Sequence, residues 1–338
     1  MNSKSQNVLV LGAGNFGTCL AQQLARNEHN VIIWDRNPDI VSSINSDHKN
    51  KKYQSSFDLS KNIKATSVFG EVDFSELAAA VLCIPVQAIR EVLMQIPSGA
   101  ISNIPIICAS KGLEISSGML PFGVIEECLG KESADNICVL SGPSFAVEVM
   151  QQFPTAVSCA SKSPTASKVT QDLFHSPHFR VYTNSDPMGL ELAGAMKNVI
   201  AIAAGASAGL GFQSNTLVAL ITRGLAEIIR IGSSLGIEQS VFVGLGGVGD
   251  LILTCTSEKS RNYTVGFKLG KGMTFEETMA SMDSVAEGVY TTKAAKALVD
   301  KRDIDAPITT AVYKVIYENI PVKEAMLELL NRDAKSEG

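Results

Sequence analysis

The first half of the chain alternates short apolar runs with segments in which apolar residues recur every three or four positions. Near-continuous apolar runs are typical of strands buried on both faces of a parallel sheet, and the segments between them predict helices. The predicted strands cover residues 7–12, 30–35, 64–68, 79–85, 104–110, 137–142, 155–161 and 179–184. The clearest predicted helices cover 15–27, 86–95, 121–129, 144–151 and 164–175. This alternation predicts a doubly wound, mostly parallel α/β sheet.

After about residue 185 the strand signals stop and the pattern becomes helical. Predicted helices cover residues 187–208, 215–235, 248–256, 261–271, 275–282, 287–299, 306–318 and 322–332. A chain of 338 residues exceeds what a single hydrophobic core usually supports. We therefore expect a nucleotide-binding α/β domain over 1–187 and an all-helical substrate domain over 188–338, with a ligand cleft between them.

A glycine-rich loop, "GAGNFG" (12–17), follows the first predicted strand and opens a predicted helix. Gly12 permits a tight turn, Gly14 lets a pyrophosphate approach the backbone, and Gly17 allows close helix–strand packing. The second predicted strand ends in an acidic residue, Asp35, 18 residues after Gly17. This context predicts a dinucleotide site with the pyrophosphate at the start of the helix.

Two adjacent residues give conflicting predictions about the nucleotide. Asp35 would accept a hydrogen bond from the adenosine ribose 2′-OH, which favours NAD. Arg36 would pair with a 2′-phosphate, which favours NADP. Both cofactors therefore remain open. The basic, aromatic stretch "HKNKKY" (48–53) is either part of the same site or a plain surface loop.

A second stretch, "GLGGVGD" (244–250), has the same glycine spacing. The apolar run before it is short and lies in the helical half, and no second strand with an acidic end follows at the required distance. We interpret this stretch as an open turn before a helix that begins near Asp250, so that the chain holds one nucleotide.

Ligands of open α/β sheets bind beyond the carboxyl ends of the strands. The stretch "SKGLE" (110–114) places Lys111 there, and "SGPSFAVE" (141–148) places Gly142 and Ser144 there. Gly142 shapes a turn, and Ser144 is the predicted N-cap of the helix that follows. The N–H groups at the start of that helix could hold an anionic substrate.

Lys197 lies in the middle of an apolar, Ala/Gly-rich helix over 190–209. Lysine is seldom buried without a partner or a task. Burial would lower the pKa of its ammonium toward neutrality, which suits a general acid or base. Asp250 could orient or charge-balance this lysine. Candidate phosphate ligands follow at Ser260, Arg261 and Asn262.

Composition and charge exclude several classes of function. The net charge is −5 and no basic run exceeds "NKK" (50–52), so we expect no nucleic-acid or membrane-surface partner. Seven scattered cysteines without a C-x-x-C predict buried, reduced thiols in a cytoplasmic protein. The pair His175 and His178 has no further ligand nearby, so we expect no metal. The sequence also predicts no secretory signal and no membrane span.

Seven motifs occur in order along nearly the whole chain: "GAGNFG" (12–17), "SKGLE" (110–114), "GPSFAVE" (142–148), "ELAGAMKNVIAIAAG" (191–205), "GVGDLILTC" (247–255), "SRN" (260–262) and "VAEGVYTT" (285–292). Together they resemble the bacterial-type NAD(P)-dependent glycerol-3-phosphate dehydrogenases. The resemblance implies a homodimer whose chains combine an N-terminal Rossmann domain with an all-helical C-terminal domain like that of 6-phosphogluconate dehydrogenase.

The resemblance also implies a reaction, the reversible reduction of dihydroxyacetone phosphate to sn-glycerol 3-phosphate by hydride transfer at C2 with NADH or NADPH. The product is a precursor of glycerophospholipids, and Lys197 is the implied proton donor and acceptor. Implied substrate contacts are Lys111, Gly142, Ser144, Lys197, Asp250, Ser260, Arg261 and Asn262. Implied cofactor contacts, beside the three glycines and Asp35, are Asn15, Phe16, Arg36, Tyr53, Lys111, Ala146, Arg261, Val285 and Glu287.

Two other functions fit parts of the sequence. The first is another β-hydroxyacid-type dehydrogenase, acting on a different sugar phosphate or on a carboxylate. The second is a nicotinamide-binding redox sensor without turnover. The combination of "GPSFA" and "SRN" argues against the first, and the presence of Lys111, Lys197 and Asp250 argues against the second.

Overall fold

The computed structural model of the chain describes residues 5–282 and 286–333. Within these ranges the strands are β1 (Asn7–Leu11), β2 (Asn30–Trp34), β3 (Ile63–Thr66), β4 (Leu77–Leu82), β5 (Ile106–Cys108), β6 (Ile137–Ser141), β7 (Thr155–Ser161) and β8 (Phe179–Asn184). The α-helices of the first half are α1 (Asn15–Arg26), α2 (Pro38–Asp47), α3 (Ile89–Leu93), α4 (Pro121–Leu129), α5 (Ala146–Met150) and α6 (Pro164–Phe174). Those of the second half are α7 (Pro187–Gly209), α8 (Ser214–Ser234), α9 (Asp250–Cys255), α10 (Arg261–Gly270), α11 (Phe275–Ala280), α12 (Glu287–Lys301), α13 (Pro307–Tyr317) and α14 (Val322–Leu330).

The described strands form one sheet in the order β3-β2-β1-β4-β5-β6-β7-β8. Within it β6 and β7 pair antiparallel, and the other neighbours pair parallel. Each strand overlaps the run predicted for it, so the predicted doubly wound, mostly parallel fold is confirmed. The strand order reverses between β1 and β4, and a reversal of this kind creates the ligand crevice of open α/β sheets.

The chain divides into two compact units. The first combines the residues up to Lys111 with Met119–Glu191, and the second combines Gly112–Gly118 with the residues from Leu192 onward. In the first unit, apolar side chains cover both faces of the sheet in two separate layers. The assignment of 1–187 to nucleotide binding and of 188–338 to substrate and catalysis stays a prediction.

In the first unit, a buried carboxylate holds the start of α4. Both carboxylate oxygens of Glu191 accept from the backbone N–H of Phe122, at 3.0 and 2.9 Å. Burial raises the pKa of Glu191 from its ordinary 4.5 to about 8, and the hydrogen bond from Phe122 opposes that rise. Glu191 therefore keeps its proton to a higher pH than an exposed glutamate does.

This protonation predicts a stability change with pH. Between about pH 5 and pH 8 the folded chain holds a proton on Glu191 that the unfolded chain has released, so the free energy of unfolding falls as pH rises. We expect the free energy of unfolding of Glu191→Gln to fall less steeply with pH than that of wild type, by up to about 1.4 kcal/mol per pH unit. Chemical denaturation at several pH values measures the difference, with Glu76→Gln, an exposed site, as the control. If the free energy of unfolding varies with pH in the same way in wild type and Glu191→Gln, the prediction is contradicted.

The second unit contains most of α7 and the helices α8 to α14, and no strand lies among its described residues, as predicted. A Cβ on Gly205 of α7 would come within 1.9 Å of the carbonyl oxygen of Tyr263 on α10. A Cβ on Gly266 of α10 would come within 1.9 Å of the carbonyl oxygen of Ile202 on α7. The two backbones are therefore in direct contact. The helix α7 is apolar enough to cross a membrane by composition, but 83% of its most apolar window is buried, as expected of a core helix.

A second buried carboxylate, Glu227 of α8, holds the start of α13. It accepts from the N–H groups of Ile308 and Thr309, both at 2.8 Å, and from the hydroxyl of Thr309 at 2.6 Å. Pro307 occupies the first position of α13, where its missing N–H costs nothing. These contacts fix α13 against α8 in the second unit.

Candidate active site

The glycine-rich loop of the first unit has the geometry that its sequence predicts. Gly12 has φ +102°, and a Cβ there would lie 2.7 Å from the carbonyl oxygen of Cys83 at the end of β4. A Cβ on Gly17 would lie 1.9 Å from the carbonyl oxygen of Gly12. Both positions therefore require glycine for the fold itself.

Gly14 differs, because nothing in the protein explains its lack of a side chain. It caps α1 with φ −70° and ψ −175°, which any residue adopts, and a Cβ there meets no atom within 4 Å. The empty space lies at the N-terminal end of a 12-residue helix. This space fits a pyrophosphate, which binds readily at helix N-termini and needs close approach to the backbone.

The Asp35 carboxylate is already bonded to the loop backbone. One oxygen accepts from the N–H of Ala13 at 2.8 Å, and the other accepts from the N–H of Asn37 at 2.9 Å. A carboxylate has about four acceptor positions, so these bonds leave capacity for a ribose hydroxyl. Arg36, the next residue, is exposed. The contact of either residue with a nucleotide stays a prediction.

The other predicted nucleotide contacts of the first unit lie on or pack against the same apolar layer. Asn15 is exposed on the first turn of α1, and Phe16 and Tyr53 pack against the apolar layer beneath it. Ala146 begins α5.

Lys111 and Gly142 follow strand ends as predicted. Burial raises the pKa of the Cys83 thiol, and the nearby Lys111 ammonium acts against that rise, which places Lys111 near the end of β4. Gly142 has φ +154°, and a Cβ there would lie 2.8 Å from Cα of Val157.

The predicted N-cap role of Ser144 is wrong. The helix α5 begins at Ala146, and Phe145 is its N-cap, without a side-chain capping bond. The hydroxyl of Ser144 instead donates to the carbonyl oxygen of Gly142 at 2.9 Å. The turn after β6 continues one residue further than the sequence suggested, because the hydroxyl bonds backward to the turn rather than forward to the helix.

In the second unit, Lys197 bonds to side chains of α9. Its Nζ donates to Oδ1 of Asp250 at 2.6 Å and to Oγ1 of Thr254 at 2.8 Å. Asp250 and Thr254 are four residues apart on α9, so they present side chains to the same face. The Thr254 hydroxyl donates in turn to the Asp250 carbonyl oxygen at 2.6 Å. The pairing of Asp250 with Lys197 confirms the predicted geometry, whereas the role of Thr254 escaped the sequence analysis.

The ion pair is buried, with only 9% of the Lys197 side chain and 2% of the Asp250 side chain exposed. Burial by itself disfavours the ammonium of Lys197. The carboxylate acts in the opposite direction, because an opposite charge at hydrogen-bond distance favours the charged form. Burial also raises the pKa of the neighbouring Cys255 thiol to about 12. This thiol is therefore neutral and does not compete as a nucleophile.

The second glycine-rich stretch has no strand before it. A 3-10 turn over Gln239–Val243 leads into Leu245–Gly249, which ends where α9 begins at Asp250. A Cβ on Gly247 would lie 2.1 Å from the carbonyl oxygen of Phe242. This glycine serves close backbone packing, so the expectation of an open turn is wrong, because Leu245–Gly249 forms a partly buried, closely packed helical turn. The expected start of a helix at Asp250 is confirmed.

The predicted phosphate ligands lie at the start of α10. Ser260 is the N-cap, and its hydroxyl accepts from the N–H of Tyr263 at 3.2 Å. Arg261 is exposed at the first position. The side-chain oxygen of Asn262 accepts from the N–H of Gly288 on α12 at 2.9 Å. This bond turns the NH₂ group of Asn262 away from α12, so the amide presents donors on its other side.

Glu287 opens α12 close to Arg261. Its Oε2 is buried and has no hydrogen-bond partner among the described residues. Burial raises the pKa of Glu287 to about 7, and the positive charge of Arg261 opposes the rise. A buried carboxylate oxygen without a partner needs a ligand or a proton. Val285, another predicted cofactor contact, lies outside the described residues.

In the part of the chain that the structure describes, no three His, Cys, Asp or Glu side chains form a group able to hold a metal ion. The seven cysteines are free thiols, and five of them are buried.

Comparison with known proteins decides the family. Residues 7–167 match the family model for the N-terminus of NAD-dependent glycerol-3-phosphate dehydrogenase, and residues 186–327 match the model for its C-terminus. The chain belongs to the NAD-dependent glycerol-3-phosphate dehydrogenase family. It is 46% identical over 331 residues to glycerol-3-phosphate dehydrogenase [NAD(P)+] of Staphylococcus carnosus. The aligned region covers 98% of this chain and 99% of the relative. Membership of this family makes the chain an NAD(P)-dependent oxidoreductase.

Solved structures of the family have the same fold. Glycerol-3-phosphate dehydrogenase of Coxiella burnetii is 36% identical and superposes with a TM-score of 0.90, covering 97% of this chain and 99% of its own. The enzyme of Saccharomyces cerevisiae is 28% identical, with a TM-score of 0.82 and coverage of 97% and 100%. A D-mandelate dehydrogenase, 14% identical with a TM-score of 0.60, shares the fold alone.

Proposed function

We propose that this chain interconverts dihydroxyacetone phosphate and sn-glycerol 3-phosphate with NAD(H) or NADP(H), and that Lys197 is its general acid and base. The observation that carries the proposal is the buried ammonium of Lys197, 2.6 Å from Asp250 and 2.8 Å from Thr254. The relatives named above from Staphylococcus carnosus, Coxiella burnetii and Saccharomyces cerevisiae carry glycerol-3-phosphate dehydrogenase as their own name.

Lys197 is placed to move a proton. In reduction its Nζ would donate a proton to the oxygen that forms on C2, and in oxidation it would accept the proton of the hydroxyl. The Asp250 carboxylate holds the ammonium in place, and the Thr254 hydroxyl limits its rotation. A cation fixed in a buried site also stabilises negative charge that develops on the substrate oxygen, because water does not screen it.

The phosphate of the substrate is a charged group by which the site can orient the substrate. We propose that Arg261 holds it bidentately and that Asn262 donates its NH₂ group, which the bond to Gly288 orients. Ser260 and the N–H groups at the start of α10 would add donors, helped by the helix dipole. Lys111, Gly142 and Ser144 of the first unit are proposed as further substrate contacts, by resemblance to the family.

The first unit would hold the nucleotide. When bound, the nicotinamide supplies hydride to the substrate carbon or accepts it. Gly14 leaves room for the pyrophosphate beside the tight turn at Gly12, with Asp35 and Arg36 beside the adenosine ribose. We propose Lys111, Arg261 and Glu287 as contacts near the reacting end of the nucleotide; the unpartnered Oε2 of Glu287 supports the last of these.

The biological setting follows from the proposed product. Glycerol 3-phosphate is the backbone onto which glycerophospholipids are built, so the enzyme would supply lipid synthesis. We further propose a cytoplasmic homodimer that acts on small molecules.

A substrate panel tests this proposal. We expect NADH or NADPH oxidation with dihydroxyacetone phosphate to exceed that with 2-keto acids, or with unphosphorylated dihydroxyacetone, by roughly a thousandfold or more in kcat/KM. The physical reason is that cationic groups built for phosphate are left unpaired by the other substrates. The assay follows nicotinamide absorbance with each cofactor in turn, which also gives the NADH to NADPH ratio.

The panel separates the two alternative functions. Faster turnover of a 2-keto acid would indicate another β-hydroxyacid-type dehydrogenase. Tight NADH binding without turnover of any substrate would indicate a redox sensor, and either result would remove the proposed function.

A further inference from the structure

We propose that Asn50 is a positioning residue for nucleotide binding, which holds the glycine-rich loop in its binding shape before the nucleotide arrives. The inference rests on the proposed nucleotide site of the first unit. It assigns Asn50 no contact with the nucleotide itself.

Side chains from other segments hold the loop at Ala13, between Gly12 and Gly14. The Ala13 N–H donates to Asp35 at 2.8 Å. The Ala13 carbonyl oxygen accepts from the Asn50 Nδ2 at 2.7 Å and from the Thr18 hydroxyl at 3.2 Å. Both polar groups of this residue are therefore bonded by side chains from outside the loop.

The polar atoms of the Asn50 side chain all form hydrogen bonds within the protein. It is 0% exposed, and its NH₂ group also donates to Oγ1 of Thr18 at 2.8 Å. Its oxygen accepts from the N–H of Tyr53 at 3.2 Å. A buried amide with both donors and its oxygen bonded has one orientation, so Asn50 links the segment 48–54 rigidly to the loop.

A second side chain of the same segment reaches the other end of the loop. Gln54 is buried, and its Nε2 donates to the carbonyl oxygen of Asn15 at 3.2 Å. The segment 48–54 therefore bonds to the loop on both sides of Gly14. The open space beside Gly14 thus keeps its shape without a ligand.

Such a scaffold matters because two glycines make the loop flexible. Gly12 and Gly14 lack the side chains that restrict backbone rotation, so a loop without outside bonds would sample many shapes. Ordering the loop on binding would weaken affinity, and ordering it beforehand avoids that loss. Since the bonds reach Ala13 rather than the ribose, they favour NADH and NADPH equally.

The test compares Asn50→Asp with a matched variant. Asp keeps an acceptor for the Tyr53 N–H but replaces both donors and sets an anion against the Ala13 carbonyl. We expect the Kd values of NADH and NADPH, measured by fluorescence titration, to rise about tenfold or more each, with their ratio unchanged. At saturating nucleotide, kcat should stay within about twofold, because the bound loop is the same.

Asn45→Ala is the matched control. Asn45 lies on α2, five positions before Asn50, and bonds both polar groups of Ala65 at 2.8 Å on β3. Its loss should lower the thermal midpoint without changing either Kd. If Asn50→Asp does not fold, Thr18→Val is the substitute test. It removes the other side-chain hydrogen bond to the Ala13 carbonyl with little change in side-chain volume, and we expect both Kd values to rise about threefold.

Each outcome decides between the claims. Unchanged Kd values in a folded Asn50→Asp or Thr18→Val protein would overturn the inference, as would an equal rise in Asn45→Ala or a shifted NADH to NADPH ratio. A nucleotide affinity that survives Gly14→Val would instead refute the proposed nucleotide site. The two failures are therefore distinguishable.

Discussion

Lys197→Met is expected to lower kcat for dihydroxyacetone phosphate reduction by roughly a thousandfold or more while NADH binding persists. Methionine keeps the length and much of the volume of the side chain but cannot donate or accept a proton. It also removes the positive charge that would stabilise the developing oxyanion. Steady-state kinetics measures the loss of turnover, and a fluorescence titration measures the retained Kd for NADH.

Two further variants isolate the chemical role of the lysine. Lys197→Met leaves Asp250 buried without its cation, which destabilises the protein, so Lys197→Met combined with Asp250→Asn should recover stability but not turnover. Lys314→Met breaks an ion pair to Glu328 of the same 2.6 Å length on the exposed surface, and we expect full activity. Near-normal turnover in Lys197→Met would remove Lys197 from its proposed role.

Gly14→Val is expected to weaken NADH and NADPH binding by roughly a hundredfold or more with the fold intact. The backbone angles of Gly14 suit any residue, and a Cβ there meets no atom within 4 Å. A valine would therefore fold normally but fill the space that the pyrophosphate needs. Nucleotide titration measures the affinity, and thermal unfolding without ligand measures the fold.

Gly123→Ala is the control for the glycine substitution itself. Gly123 lies within α4, where a Cβ would make ordinary contact at 3.6 Å with Met119. We expect unchanged nucleotide affinity and, because alanine favours helices, unchanged or slightly higher stability. A Gly14→Val protein that binds NADH as tightly as wild type would show that the pyrophosphate lies elsewhere.

The sequence predicted the order and type of the elements because hydrophobic periodicity reports local burial. Each strand of the sheet overlaps its predicted run, and α9 begins at Asp250 as expected. The pairing of Lys197 with Asp250 could be inferred because a buried ammonium needs an anion. The same logic, applied to the spacing of Asp250 and Thr254 on one helix face, could have found Thr254.

Other features could not be predicted because they depend on contacts between distant segments. The Ser144 hydroxyl could bond forward or backward along the chain, and only the turn geometry after β6 decides between them. Asn50 looked like part of a basic surface loop, since nothing in "HKNKKY" shows that its amide is buried against Ala13. Glu191 and Glu227 likewise appear as ordinary helix carboxylates until folding places them at the starts of other helices.

The contact between the backbones of α7 and α10 has a consequence for motion. Because Gly205 and Gly266 bring main-chain atoms of one helix against those of the other, neither helix has a layer of side chains on which to slide. Thermal displacement of α7, which carries Lys197, must therefore carry the start of α10 with it. The distance between Lys197 and the proposed phosphate ligands is therefore set by the contact of two main chains. It does not depend on adjustable side-chain rotamers.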